Sequence, residues 1–177
     1  MNRCSWCNLK NQKYVDYHDN EWCVLNMDER YLYEMFILES FQAGLSWECV
    51  LNKREAFLKA YDNFDIDKVV KYDDVKIEEL RNNKDIIRNR LKIQASINNS
   101  KIYMNIVKEF GSFYNYLSHF SGGRIFYEIG KTTSALSDKI SFDLRCRGMK
   151  FVGSTIIYSY LCAVGIIYAH EETCFLY

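Results

Sequence analysis

Between Asp28 and Tyr61 the sequence places an acid where a helix should be apolar, and few folds accommodate that. Taken as a helix from Asp28, the residues Leu32, Met35 and Phe36 make one stripe, and the next position on it is Glu39. Gly44 supplies the left-handed residue that ends such a helix, and Ser46 offers an N-cap to a second helix turning Trp47, Val50, Leu51, Leu58 and Tyr61 inward. The turn then holds a carboxylate, an amide and an indole close together. A buried carboxylate costs several kcal/mol unless donors, a cation or protonation compensates it. Glu39 is therefore either a recognition group or hydrogen-bonded to backbone.

With 49% apolar and 16% aromatic residues, the 177-residue chain is too hydrophobic for disorder. It is long enough for one domain with a full core, or for two small lobes sharing a cleft. Lys plus Arg and Asp plus Glu both number 23, so the summed charge gives no pointer to nucleic acid, and any such contact must come from a local basic patch. No apolar run reaches the length of a membrane span and the N-terminus lacks the pattern of a signal peptide, so a cytoplasmic protein is expected. The seven cysteines, an odd number scattered through apolar stretches, fit reduced thiols and a metal site better than a disulfide framework.

Near the N-terminus stand Cys4, Trp6, Cys7, Tyr14, Tyr17, His18, Trp22 and Cys23. Tyr14, Tyr17 and His18 are three and four apart, so one helical turn points them to one side, as a binding wall or as core packing. Short helices are expected over 65–72 and 74–82, each opened by an acidic residue. A tight connection at Asn83, Lys84 and Asp85 leads into a long helix over 86–110 with Ile93, Ile97, Met104 and Val107 inward and Gly111 at its end. Arg88, Arg90 and Lys92 in its first turns, beside free N–H groups, can hold a phosphate, or can form a solvated face.

Gly122, Gly123 and residues 130–134 read as loops. Ser137 and Asp138 cap a helix that Gly148 stops after Arg147, and residues 156–170, apolar on nearly every face, read as a central buried helix. No strong alternating strand pattern and no internal repeat is present, so the expected class is all-α.

His170 and Cys174 are four apart, and Cys4 and His18 could supply two more ligands. Two Cys and two His at about 2.0–2.3 Å make a closed tetrahedral zinc site that stabilises without doing chemistry. Cys4 and Cys7 form a competing pair with metal-ligand spacing, and spacing alone leaves scattered buried thiols as an alternative. The His-x-Glu and Pro-Cys-x-x-Cys elements of zinc deaminases are absent.

Together these pieces resemble the 3-methyladenine DNA glycosylase I family. The resemblance rests on Arg3-Cys4-x-Trp6, Tyr17-His18-Asp19-Asn20-Glu21-Trp22, Leu38-Glu39-x-x-Gln42-Ala43-Gly44-Leu45-Ser46-Trp47, Ile86-Ile87-Arg88-Asn89-Arg90-x-Lys92-Ile93 and Lys150-Phe151-Val152-Gly153-Ser154-Thr155. It covers nearly the whole chain and is weakest across 110–131.

The resemblance implies one glycosylase unit over 1–177 with an all-α helix-hairpin-helix fold, the helix-hairpin-helix at about 74–110 and zinc-binding termini at 1–27 and 156–177. It implies one structural zinc on Cys4, His18, His170 and Cys174, with Cys7 set aside. It implies a pocket for an extruded methylated adenine lined by Tyr14, Tyr17, Trp22, Glu39 and Trp47, with Glu39 as the catalytic residue. Gln42 and Leu45 would form a wedge filling the gap left by the flipped nucleotide, Leu45 otherwise being a helix–helix contact. Arg88, Arg90 and Lys92 would grip the backbone. The implied activity is hydrolysis of the N-glycosidic bond of 3-methyladenine in alkylated double-stranded DNA by a monomer, leaving an abasic site; the alternative is a non-catalytic binder of damaged DNA. Two departures stand out. Asp85 replaces a hairpin glycine and brings a negative charge beside the phosphate site, and Cys23 replaces a glycine after Trp22.

Overall fold

Helix α1 (Gln12–Asn20) follows an N-terminal loop, and α2 (Glu29–Gln42) begins where the Asp28 side chain accepts a hydrogen bond from Tyr31 N at 2.9 Å. The structure, a computed structural model, describes residues 1–177. In α2 every residue from Leu32 to Phe41 is buried, so the helix is walled on all sides and has no solvent face opposite its apolar stripe. Glu34 survives there because Arg54 donates to it at 2.7 Å and also bonds Glu21.

Gly44, with φ +75°, turns the chain, and Ser46 accepts from Cys49 N at 3.2 Å to start α3 (Trp47–Leu51). The expected second helix is broken at Asn52 and Lys53, after which α4 (Arg54–Ala60) continues. A 3-10 turn at Asp62–Phe64, with all three residues at positive φ, leads to α5 (Ile66–Val69), a single turn that is shorter than the sequence suggested.

Helix α6 (Asp74–Asn82), capped by Asp73, precedes a hairpin over 83–89. There Asp85 N donates to Asn83 Oδ1 at 2.9 Å and its carbonyl accepts from Lys53 Nζ at 3.1 Å. No hairpin residue has a positive φ, so Asp85 carries no left-handed strain in place of the family's glycine. Helix α7 (Arg90–Phe110) starts at its cap Asn89, four residues later than expected, which leaves Arg88 in the hairpin. Gly111, at φ +83°, ends it.

Helix α8 (Phe113–Ser121) leads to β1 (Phe126–Tyr127). Helix α9 (Ala135–Cys146) is capped by Ser134 in a reciprocal capping box with Ser137, three residues before the expected cap. Helix α10 (Ser154–Ala163) stops well short of residue 170. Ile166 N reaches Leu161 O and Gly165 N reaches Cys162 O, a Schellman ending that needs the left-handed Gly165. The chain then forms β2 (Ile167–Tyr168), parallel to β1 with Phe126 opposite Ile167. Strands of two residues leave no alternation in the sequence to detect.

The core is built by α10 against α9 and α2, and by α2 against α3, α7 and α8. The termini meet where Phe175 N donates to Asn2 O at 2.9 Å. No helix is long and apolar enough to cross a membrane.

Gly165 (φ +77°) lies against the backbone of Val24 and Leu25, where a Cβ would fall inside the van der Waals shell of both. Gly165→Ala is therefore expected to lose at least about 2 kcal/mol in urea unfolding, since positive φ and a backbone clash act together.

Candidate functional site

One cavity of ≈ 320 Å³ collects the sequence-predicted pocket residues Tyr14, Tyr17, Trp22, Glu39 and Trp47. This is within the size of small-molecule sites, about 300–1,000 Å³. Tyr14 and Tyr17 come from one face of α1, Glu39 from the last turns of α2, and Trp47 from the first turn of α3. The rings of Tyr17 and Trp47 lie 5.3 Å apart, and Trp6 sits 4.6 Å from Trp22 and 5.2 Å from Tyr14. The result is an aromatic box with an acid at its base.

Glu39 is 3% exposed, and its Oε2 has no hydrogen-bond partner in the protein. Gln42 Oε1 and Trp47 Nε1 are likewise buried without partners. Such atoms cost about 1–3 kcal/mol each when unpaired, so three around one cavity are completed by water or by a ligand that displaces it. Two acceptors or acidic groups and one N–H donor ask for a ligand with its own donors and an acceptor. Burial alone pushes the Glu39 carboxyl well above the usual carboxylate range. Burial also raises Tyr14, to about 12, and Tyr17, so both phenols remain protonated.

The sequence reading missed the opposite wall. Helix α10 contributes Thr155, Tyr158, Ser159 and Cys162, and the loop at 130–132 contributes Lys131 and Thr132. These positions look like helix interior and loop in the sequence, and only the packing of α10 against α2 makes them pocket residues. Glu171 is a second acid at the cavity, held below the usual range by hydrogen bonds from the Ser5 hydroxyl at 2.6 Å and Ser5 N at 2.7 Å.

The residues expected on the DNA side divide. Leu45 is 41% exposed at the turn, as a wedge requires. Gln42 faces the pocket. Arg88 and Arg90 are exposed and make no ion pair within the protein. Lys92 is a correction: it is 8% exposed and donates to Phe41 O at 2.8 Å and Ala43 O at 2.5 Å. It satisfies the carbonyls left open at the end of α2, which has no basic residue in its own last turn, and cannot also reach a phosphate. Cys23 adopts φ +65°, the left-handed conformation a glycine would hold there without strain.

A wider cleft of ≈ 610 Å³ between α2, the 3-10 turn and α7 has its acids already engaged. Glu29 accepts from Phe113 N, Asp62 from the Tyr72 hydroxyl and Asp65 from Asp67 N.

Behind the aromatic box, Cys4, His18, His170 and Cys174 are all buried with ligand atoms within 4.8 Å of one another. Cys4 Sγ lies 3.5 Å from His170 Nδ1, and Cys174 Sγ lies 3.6 Å from both His18 Nε2 and His170 Nδ1. Bonds of 2.0–2.3 Å to a tetrahedral ion put ligands about 3.3–3.8 Å apart, so these separations fit. The surroundings fit as well. Glu171 N and Leu176 N donate to the two sulfurs, and His18 Nδ1 is 2.8 Å from Asp19, itself clamped by Arg3. Cys7 lies outside the cluster with its thiol toward Tyr14 O. The group can hold a metal ion, and His170 and Cys174 belong to a compact loop rather than to α10.

The chain matches the methyladenine glycosylase family over residues 6–177. It is 40% identical to DNA-3-methyladenine glycosylase 1 of Escherichia coli, over 100% of this chain and 97% of that protein. It is 33% identical to the DNA-3-methyladenine glycosylase of Haemophilus influenzae, over 97% and 96%. Among solved structures, a crystal structure of 3-methyladenine DNA glycosylase I aligns with TM-score 0.93 at 37% identity, covering 98% of both chains. The Staphylococcus aureus enzyme, in a structure concerned with 3-methyladenine recognition, aligns at 0.92 and 31% identity, over 98% of this chain and 95% of that one.

A glutamate ionises near 4.5 when unfolded and well above that here. The stability that the neutral, buried acid permits is fully present below the unfolded value and is lost as pH rises through the window up to the folded one. Glu39→Gln removes that loss, so thermal unfolding should show it more stable than wild type at neutral pH, with the advantage vanishing near pH ~4.

Proposed function

This chain belongs to the methyladenine glycosylase family, and from that premise we propose that its pocket excises 3-methyladenine from alkylated DNA. The observation that carries the reading is the buried Glu39 carboxyl, unpaired at the base of an aromatic box beside an unpaired indole N–H and amide oxygen. Adenine presents an amino donor and ring-nitrogen acceptors, the complement of these groups. Methylation at N3 makes the nucleotide's base a cation. A neutral adenine gives Glu39 no reason to ionise in a buried site, whereas a cationic base offsets the cost of the carboxylate and is drawn to the electron-rich ring faces. The lesion also stacks and pairs poorly, so it is extruded at lower cost.

The hydrolysis asks little of a nucleophile. The bond from C1′ to N9 breaks with its electron pair passing to the purine, which cancels the base's charge. Water adds at C1′ and gives up a proton, leaving free 3-methyladenine and an abasic site. The two acids that line the cavity are Glu39 and Glu171. Because the cationic base is already a good leaving group, tight holding of it by Glu39, Trp47 and the tyrosines supplies much of the acceleration on this reading. On this reading the exposed Leu45 fills the gap in the duplex, and the exposed Arg88 and Arg90 meet phosphates. We read the enzyme as a cytoplasmic monomer acting on double-stranded DNA.

The finer reading of the metal group is one structural zinc on Cys4, His18, His170 and Cys174. Two thiolates and two imidazoles form a closed set that supplies folding energy and leaves no position for water.

Incubation with alkylated duplex DNA, followed by chromatography of the released bases, should yield free 3-methyladenine. A folded, metal-loaded protein that releases none would be a binder of damaged DNA instead. Elemental analysis should find one zinc per chain. Stripping it with a chelator should cost several kcal/mol of stability, as should His170→Ala, while Glu39→Gln keeps its metal.

A further inference from the structure

The two walls of the pocket differ in chemistry. Helices α1, α2 and α3 supply rings and the Glu39 carboxyl, while the loop at 130–132 and α10 supply Lys131 and the hydroxyl residues Thr132 and Thr155. Lys131 is the only Lys or Arg lining the cavity. An ammonium in a site that accepts a cationic base opposes that base by like-charge repulsion, so base recognition does not account for it. An extruded nucleotide brings more than its base, however. It carries a phosphodiester on either side of the sugar, and these stay at the mouth when the base enters. We propose that Lys131, with Thr132 and Thr155, holds a phosphate of the extruded nucleotide at the mouth of the pocket. This rests on the reading that the pocket takes an extruded base.

Several observations suit Lys131 to the task. Its side chain is 53% exposed, and its one ion pair, 3.2 Å to a Glu128 carboxylate that is only 15% exposed, uses one of the three ammonium donors and leaves the others for a phosphate. Thr132 and Thr155 are exposed residues, and no hydrogen bond within the protein engages either hydroxyl. The loop is also positioned. Tyr158 donates from its hydroxyl to Glu128 O at 3.3 Å, and Glu128 N donates to Tyr168 O at 2.9 Å. These bonds tie the approach to Lys131 to α10 and β2, and Gly130 at φ +68° turns the chain back over the cavity. Arg88 on the hairpin and Arg90 at the start of α7 supply cations elsewhere, so a chain with no net charge meets the backbone at two separate places.

The test uses the full-length, metal-loaded protein with Lys131→Gln and Lys131→Arg. Affinity is measured for a duplex carrying a tetrahydrofuran abasic analogue, and separately for free 3-methyladenine, which has no phosphate. Loss of one phosphate contact should reduce the slope of log affinity against log salt by about 0.9, a three- to fourfold smaller change between roughly 50 and 200 mM NaCl. Lys131→Gln should show that reduction, with free-base affinity within about twofold of wild type, and Lys131→Arg should restore the slope. An unchanged slope in Lys131→Gln, or an equal loss of free-base affinity, would overturn the proposal. So would a covalent adduct with damaged DNA trapped by borohydride on Lys131, which would make it a nucleophile. Failure of the wild type to bind free 3-methyladenine would instead overturn the pocket reading beneath it.

Discussion

A carboxyl group in the interior with nothing to bond is the constraint on which this structure turns. Glu39 sits in the one helix whose middle ten residues are all buried, so fraying of the helix does not free it and it meets the outside only through the cavity it lines. The helix is held at both ends, by Asp28 at its start and by Lys92, reaching across from α7, at its finish. Lys92 thereby links the hairpin helix to the turn that carries Gln42 and Leu45. A group that is costly where it stands and fixed in place is prepared for a partner from outside, because no reorganisation is needed when the partner arrives.

The metal-binding cluster and the pocket are two faces of one arrangement. Tyr14 and Tyr17 line the cavity while His18, the next residue on the same helix, turns to the cluster. On the other strand of the joint, Ala169 and Glu171 line the cavity and flank the ligand His170. Trp22 and Trp6 pack against both, with Trp22 4.7 Å from the His170 ring. An ion held by these four residues would tie the aromatic wall to the segment that follows α10. This explains why residues at opposite ends of the chain build one site.

Much of the candidate site was readable in the sequence. Glu39 stands out as an acid on an apolar stripe, and Gly44 and Ser46 mark the turn, whereas the His and Cys spacing at the termini leaves Cys7 as a competitor that only the family resemblance sets aside. What escaped the sequence depended on tertiary packing. Lys92 looked like a surface cation on a helix, and only the approach of α2's last carbonyls draws it inside. Residues after Ala163 looked helical because they are apolar, but a Schellman ending at Gly165 and a parallel two-residue strand pairing took that segment elsewhere. Thr155, Tyr158 and Lys131 had no local signal at all, since a lining residue is defined by what faces it.

The most direct measurement of Glu39's role is the single-turnover rate of 3-methyladenine release by Glu39→Gln, compared with wild type on the same alkylated duplex. A charge-assisted hydrogen bond to the departing base is worth about 1.5–3 kcal/mol, so the variant, folded and metal-loaded, should be slower by at least about tenfold. A wild-type rate would contradict the account and leave the buried carboxyl without a part in recognition.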